Sequence, residues 1–458
     1  MLNLQELLSP VFQISSPFIK TGWEIFKAWW WVLPPFLLWS RAKYFWFWWR
    51  NGAWGASWDY TMIEIIPPED NEKPVRAMEN VIDGLWQMFY SPPNWYEAWW
   101  EGEYQITVNF EIVADGEGPH FYFRFQEGNR DVVEANIYSQ YPDAEIKEVE
   151  DYTNKVPQNI PNENWDLWGC SYMLTRPDPY PIKTYKYFET ESEKTEEKRI
   201  DPIASLLEAM GKIQKGEQLW IQFNCKPIAQ EMADKFMERA EKVKGELSKR
   251  DEGGEPKRSS MLTRLYRAIV HGEDPIDQSR KEAEAEEDEE TSSFAYPEMT
   301  LTPGEREVLQ EVERKKSKDL FQTNIRFIYL GNKDVFFKPK VRLPFGFFVS
   351  FNKSDCNQLV PFGDTITKAS PQWWNWLIFK KRREYVLKRN LFRYYKMRKA
   401  PFFPRDPGKG SYVLNVEEMA SLYHFPHREA VPAPLRPSGG AKKKGVPTPL
   451  PTEEDEEE

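Results

Sequence analysis

The chain has 458 residues, 15% of them aromatic, and 72 acidic against 61 basic side chains, for a formal net charge of −11. That length allows several domains, and the acidic excess argues against a general nucleic-acid binder, which needs a positive face. Cys170, Cys225 and Cys356 are few and far apart, so they make no disulfide framework and fit a reducing compartment.

Half of the 20 tryptophans lie in the first 58 residues. Trp23, Trp29, Trp30, Trp31, Trp39, Trp46, Trp48 and Trp49 form the candidate anchor, because indole rings collect where hydrocarbon meets water. Ala28 to Trp39 is an uninterrupted apolar run, short of the ~20 residues a spanning helix needs, and Pro34 and Pro35 weaken a straight helix there. Lys20, Lys27, Arg41 and Lys43 can snorkel and lengthen the span. The expectation is one tilted membrane helix over Gly22 to Phe47. An interfacial or re-entrant segment and a soluble aromatic hook stand as alternatives. No small-residue cleavage site closes the run, so it does not read as a cleaved signal peptide. Arg41, Lys43 and Arg50 outweigh Lys20 and Lys27, which puts the soluble part in the cytoplasm.

After this anchor (1–57), alternation predicts strands over 58–66, 104–113, 120–125 and 144–149, with helices over 76–90 and 130–141 between them. Residues 58–160 therefore read as a first α+β unit of ferredoxin-like kind. A second ferredoxin-like α+β unit opens over 161–249. Its strands are expected over 165–175, 182–188 and 218–224. A helix after Asp201–Pro202 presents Ile203, Leu206, Leu207, Met210 and Ile213, and a long polar helix covers 228–249. Residues 250–300 read as a disordered acidic insertion, with one short helix at 261–270 and the block KEAEAEEDEE at 281–290. The unit continues over 301–430. Thr302 and Glu305 make a capping box, 324–330 is a strand, 341–351 is helical, 373–398 is one long basic helix, and Asn415 with Glu418 caps a short helix. Residues 431–458 read as a disordered tail.

Signals for catalysis are sparse, and the expectation is a non-enzyme without cofactor or metal. PGKGS (Pro407 to Ser411) lacks P-loop spacing. His120, His271, His424 and His427 are too scattered for a zinc cluster, although the last two can lie close together. Asp143 and Glu145 sit at a helix-to-strand corner, where acids normally cap or face solvent. The basic helix is the clearer feature. Residues 380–399 hold ten cations and one acid, interleaved with Tyr385, Phe392, Tyr394 and Tyr395. Lys380, Lys381, Arg382, Arg383, Lys388, Arg389, Arg393 and Lys396 form a candidate patch for an anionic partner. Three readings are open: nucleic acid, with phosphates on the cations and bases on the rings; a protein partner or anionic lipid, favoured by Trp373, Trp374, Trp376 and Phe379 just upstream; and pairing with the chain's own acids.

FYFRFQEGNRDVVEANIYSQYPDAEIKEVEDYT (Phe121 to Thr153), YPIKTYKYFE (Tyr180 to Glu189), RIDPIASLLEAM (Arg199 to Met210), GEQLWIQF (Gly216 to Phe223), LTPGE (Leu301 to Glu305), IRFIYL (Ile325 to Leu330) and LNVEEMASLYHFP (Leu414 to Pro426) recur in one order. With the anchor and MIEIIPPE (Met62 to Glu69), this set resembles the N-terminal region of type IV secretion or conjugation-like FtsK/HerA-type ATPases of candidate-phyla bacteria, over residues 20–450. In those proteins the LYHFP-like segment leads into the motor. Here PTEEDEEE follows and no Walker motif does, so the resemblance carries over no ATPase activity and no catalytic residue. It implies a membrane-anchored docking component of a secretion or DNA-transfer apparatus, serving a separate FtsK/HerA-like ATPase or its substrate. The alternative is a membrane-associated nucleic-acid binder working through 380–399.

Overall fold

The computed structural model describes residues 21, 23–24, 27–29, 33–68, 71–88, 94–189, 201–228, 230–247, 301–368, 380–398 and 410–427. The expected insertion over 250–300, the tail from 431, Trp30, Trp31, Trp373, Trp374, Trp376, Phe379 and most of PGKGS lie outside the described residues. The chain divides into two compact units. One runs to Asp59 and includes Ser91–Tyr104; the other comprises Tyr60–Tyr90 and the chain from Gln105 onward.

The first unit is aromatic. Helix α1 (Leu33–Ala56) packs on a π-helical turn, Glu97–Glu101. Asn94 and Glu97 cap that turn reciprocally: the Glu97 amide donates to Asn94 Oδ1 at 3.0 Å, and the Asn94 amide to Glu97 Oε2 at 2.9 Å. The Trp46 indole donates to the Trp99 carbonyl at 2.6 Å, and its ring meets Trp100 edge-on at 5.5 Å. Gly102 ends the turn at φ 78°, where a Cβ would lie 2.4 Å from the Arg50 carbonyl carbon, so only glycine fits. No helix among the described residues is long and apolar enough to cross a membrane. Helix α1 has the length, roughly 36 Å at the usual helical rise, but Arg41, Lys43 and Arg50 fall in its middle. The expected N-terminal membrane helix is therefore not supported.

The second unit is a mixed α+β structure around an antiparallel sheet of nine strands among the described residues. Its first half runs β1 (Tyr60–Ile66), α2 (Val75–Leu85), β2 (Val108–Ala114), β3 (Pro119–Gln126), α3 (Arg130–Gln140) and β4 (Glu145–Glu148). These strands lie in the order β4-β1-β3-β2. The second half repeats the pattern: β5 (Trp165–Leu174), α4 (Ala204–Gly211), β6 (Glu217–Pro227), β7 (Leu320–Asn332), α7 (Leu343–Ser350) and β8 (Leu359–Pro361). Its order, β8-β5-β7-β6, is the same. The halves join edge to edge where β2 pairs antiparallel with β6, Glu111 opposite Gln222. Between β6 and β7 the chain makes α5 (Gln230–Leu247) and α6 (Pro303–Lys316), which pack through Ala240, Val243 and Val312. After the basic helix α8 (Lys380–Met397), β9 (Tyr412–Asn415) pairs with the start of β7.

Alternation sorts the strand residues onto two faces. Phe110 and Ile112 of β2, Phe121, Phe123 and Phe125 of β3, Ile221 and Phe223 of β6 and Phe327 of β7 point to one large core with α2, α3, α4 and α7. The last helix, α9 (Val416–Leu422), is buried along its whole length in that core. Residues 182–188, expected as a strand, are not one: 185–189 are helical. The Ile182 amide donates to Glu418 Oε1 and the Tyr185 amide to Ser421 Oγ, so α9 takes the backbone bonds that a neighbouring strand would.

The predicted capping boxes are present at Thr302/Glu305 and Asn415/Glu418. Glu418 also holds Lys315 at 2.9 Å, with both side chains fully buried. Beside it Glu417 accepts from Lys186 at 2.7 Å, Lys318 at 2.6 Å and Thr184 at 2.7 Å. Burial alone would raise the Glu417 pKa, but those hydrogen bonds outweigh it and hold the carboxyl at about 2, against 4.5 ordinarily. A depressed carboxyl stabilises the fold above its unfolded pKa and loses that contribution as pH falls. The stability gap between the native chain and Glu417→Gln, on the order of 2–3 kcal/mol at neutral pH, should close as pH drops from about 4.5 towards 2. Urea titrations across that range check it.

Candidate functional site

The opposite face of the sheet carries polar residues. Tyr122, Glu111, Gln222, Arg326 and Ser171 form one row across five strands, and Arg124, Asn109, Asn224 and Asn324 form the next. Towards one end the face turns apolar, with Val113, Trp220 and Ile328. Helix α8 lies there on Leu391, Phe392 and Tyr395. Gly169 makes room for it: a Cβ would come within 2.9 Å of Leu391 Cδ2 and 2.3 Å of the Phe327 carbonyl oxygen.

One buried carboxylate fixes the end of the helix. Glu111 accepts from Tyr152 at 2.6 Å, from Gln222 at 2.6 Å, and from Arg398 Nε at 3.0 Å and Nη2 at 3.2 Å. The Arg398 guanidinium also grips Asp151. Tyr152 and Tyr395 share a hydroxyl contact of 2.9 Å, and Gln222 donates to the Tyr395 carbonyl at 3.3 Å. Burial would lower the Arg398 pKa, but Glu111, Tyr152 and Asp151 hold it well above the ordinary value. Burial would likewise raise Asp151, and the Arg398 charge keeps it low. Burial pushes Arg326, in the same row, down to about 10.

The eight candidate cations of α8 separate into two sets. Lys388 bonds Asp166 at 2.6 Å and reaches Glu384 at 3.7 Å. Arg389 donates to the Gln158 and Ile160 carbonyls at 3.1 and 3.4 Å, and Lys396 to the Gln158 side chain. These three cations bind the chain's own loop. Lys380, Lys381, Arg382 and Arg393 are exposed and Arg383 is half-buried. Of the interleaved rings, Phe392 and Tyr395 are core residues, while Tyr385 is 49% exposed. An open cleft of about 1110 Å³ separates the first turns of α8 from the loop over 159–166, with Lys333 on its far wall.

The anchor tryptophans lie in the aromatic unit. Trp23, Trp29, Trp39, Trp48 and Trp49 are exposed, and Trp46 is half-buried against the π-turn. The NWYEAWW segment of that turn adds Trp95, 67% exposed, and Trp100. Its second tryptophan cluster was a legible signal that the reading of the first 58 residues passed over.

The chain belongs to the DUF8128 family. The model of this domain of unknown function matches residues 56–433, taking in the sheet unit and the π-turn segment. No curated protein matches the chain.

Within the DUF8128 region His120 sits between Glu64, at 2.6 Å from Nδ1, and Asp115, at 3.4 Å from Nε2. Burial would lower its pKa, but both carboxylates raise it to about 9, so at neutral pH it is a fixed cation and a poor general base. His424 bonds Asp201 at 2.9 Å, and the His427 amide donates to the same carboxylate at 3.0 Å. The two histidines thus converge on Asp201, which also accepts the Ile203 amide at the entry to α4. No group of three or more His, Cys, Asp or Glu among the described residues is arranged to hold a metal. Asp143 is exposed and Glu145 lies on β4 opposite Ile66. The three cysteines are free and buried.

This division of α8 has a mutational signature. Reversing Lys388 and Arg389 to Glu should unseat the helix and lower stability by about 2–4 kcal/mol, because Asp166 is left partly buried without its partner. Reversing Lys380, Lys381 and Arg382 should change it by no more than ~0.5 kcal/mol. Thermal melts of the two variants check the split.

Proposed function

We propose that this chain is a membrane-surface docking component of a type IV secretion or DNA-transfer-like apparatus, presenting a platform to an FtsK/HerA-like ATPase or its substrate. The observation that carries the membrane part is the aromatic unit. Trp39, Trp48, Trp49, Trp95 and Trp100 all stand exposed, with Leu38, Tyr44 and Phe45 among them. Contiguous apolar surface of that kind is costly in water and marks a partner surface. Cations are set among the rings: Lys43 lies 5.2 Å from the Trp99 ring and Arg50 5.6 Å from Trp49. Indoles at headgroup depth with cations beside them suit a helix lying in the interface, and α1 does not need to cross the bilayer to be held there. This makes the soluble remainder peripheral to the membrane, on its cytoplasmic side.

The platform part rests on the sheet unit and on the ordered resemblance. The two βαββαβ halves read as ferredoxin-like units fused at β2 and β6. The resembling strings LNVEEMASLYHFP and IRFIYL fall on buried elements, α9 with its flanks and β7. The resembling strings thus lie in this chain's core, and the docking role is what that resemblance supports.

Two measurements test the reading. Full-length protein should float with vesicles containing anionic lipid. Trp39→Ala, Trp48→Ala and Trp49→Ala combined should weaken that about tenfold or more, since ~1.4 kcal/mol is tenfold and partial burial of three indoles exceeds it. Undiminished flotation of the triple variant defeats the membrane reading. Affinity capture of the chain from solubilised native membranes should bring down an FtsK/HerA-like ATPase. Recovery of the chain by itself defeats the docking reading.

A further inference from the structure

Of the cations that α8 does not spend on its own fold, Lys381 lines the open cleft. One wall is the loop over 159–166. Asn162 rigidifies it by accepting from the amides of Asn164 at 2.9 Å and Trp165 at 2.7 Å, and Arg389 holds the Ile160 carbonyl from behind. The Lys333 amide donates to the Asn164 carbonyl at 2.8 Å, which fixes Lys333 against this loop. The other wall is the first turns of α8, with Lys381 and Tyr385. Lys388 lies between the walls and neutralises Asp166 while it reaches Glu384. Lys333 and Lys381 make no side-chain ion pair among the described residues, and Lys380 and Arg382 are exposed on the same first turn of the helix. The lining balances Lys333, Lys381 and Lys388 against Glu163, Asp166 and Glu384, so the positive surplus of this region lies on the neighbouring Lys380 and Arg382 of the same helix turn.

We propose that this cleft binds single-stranded nucleic acid, with Lys333 and Lys381 on backbone phosphates and Tyr385 as a stacking surface for a base. At about 1110 Å³ the cleft exceeds the ~300–1,000 Å³ of ordinary small-molecule pockets and is open, which suits a polymer passing through. Cations paired with an exposed aromatic side chain are the recurring chemistry of single-strand grooves. A lipid headgroup layer is flat and does not bring two cations on facing walls into use together. The Asn164 side-chain amide, also on the lining, offers a donor and an acceptor to bases and sugars. The proposal is independent of the membrane reading, since it uses no residue of the aromatic unit.

The test is fluorescence anisotropy of a labelled oligothymidylate against the full-length protein in detergent, across a salt series. Binding should weaken as salt rises. Lys333→Glu with Lys381→Glu should reduce affinity about tenfold or more and flatten the log–log salt slope by roughly 1.4, the value for two single-strand phosphates. Tyr385→Ala should reduce it about five- to hundredfold. Arg393→Glu, exposed on α8 but away from the cleft, should leave it unchanged. Melting temperature and vesicle flotation of each variant should match the native chain. Native-like binding by the double variant overturns the proposal. So does equal loss in Arg393→Glu, or a native chain that ignores the oligonucleotide at low salt.

Discussion

The arrangement of the sheet unit's outer face depends on one buried charge, the carboxylate of Glu111. It sits on β2, where the two βαββαβ halves meet, and every residue of that strand is buried. A strand covered on both faces has no wet side for its polar positions. An ionised carboxylate there is tolerated only if its lone pairs are taken by donors and its charge is balanced. Tyr152, Gln222 and the forked guanidinium of Arg398 meet both needs. Arg398 lies just past the end of α8 with a left-handed backbone, φ 48°, which turns its side chain back into the sheet. The seam between the halves therefore determines where the basic helix ends.

From that fixed end the division of the helix's charges follows. Near Arg398 the helix must lie on Trp220 and Ile328, so Phe392 and Tyr395 become core and the cations beside them bond to the loop beneath. Further from it, the helix parts from that loop and the cleft opens between them. A run of ten cations is thus not one patch. The cations nearer Arg398, apart from the exposed Arg393, mostly fasten the helix to the fold, and those of the first turn stand exposed.

How much of this was legible in the sequence depended on range. β2, β3, β6 and β7 were legible because each is seven or more residues long and rich in β-branched and aromatic side chains. The caps at Thr302 and Asn415 were legible because both partners lie within four positions. β8 and β9, of three and four residues, carry too short a pattern to register, and the stretch over 182–188 looked like a strand because its backbone bonds go to side chains of α9, far along the chain. In the second βαββαβ half, the helices between β6 and β7 split the unit into two stretches of sequence, and its last strand, β8, is too short to read. The clamp was beyond sequence reading altogether, since Glu111 and Arg398 stand 287 positions apart and each looks ordinary in its own context. Arg398 was counted as one more cation in a basic run.

The tryptophans show the same limit from the other side. Indole rings suit a boundary between apolar and aqueous surroundings whether a helix crosses that boundary or lies along it. Length favoured crossing, because α1 is long enough. Charge does not, because Arg41, Lys43 and Arg50 fall inside the helix where a span would need hydrocarbon. The π-turn decides what α1 does with its rings. By taking Trp46 and Phe47 onto Trp99 and Trp100, it gives the helix a protein-facing side, so that the remaining indoles collect on surface the unit itself does not cover. On the proposed membrane reading, a helix with one side committed to protein and exposed indoles elsewhere lies along the interface, and the cations that spoil it as a span meet the headgroups there.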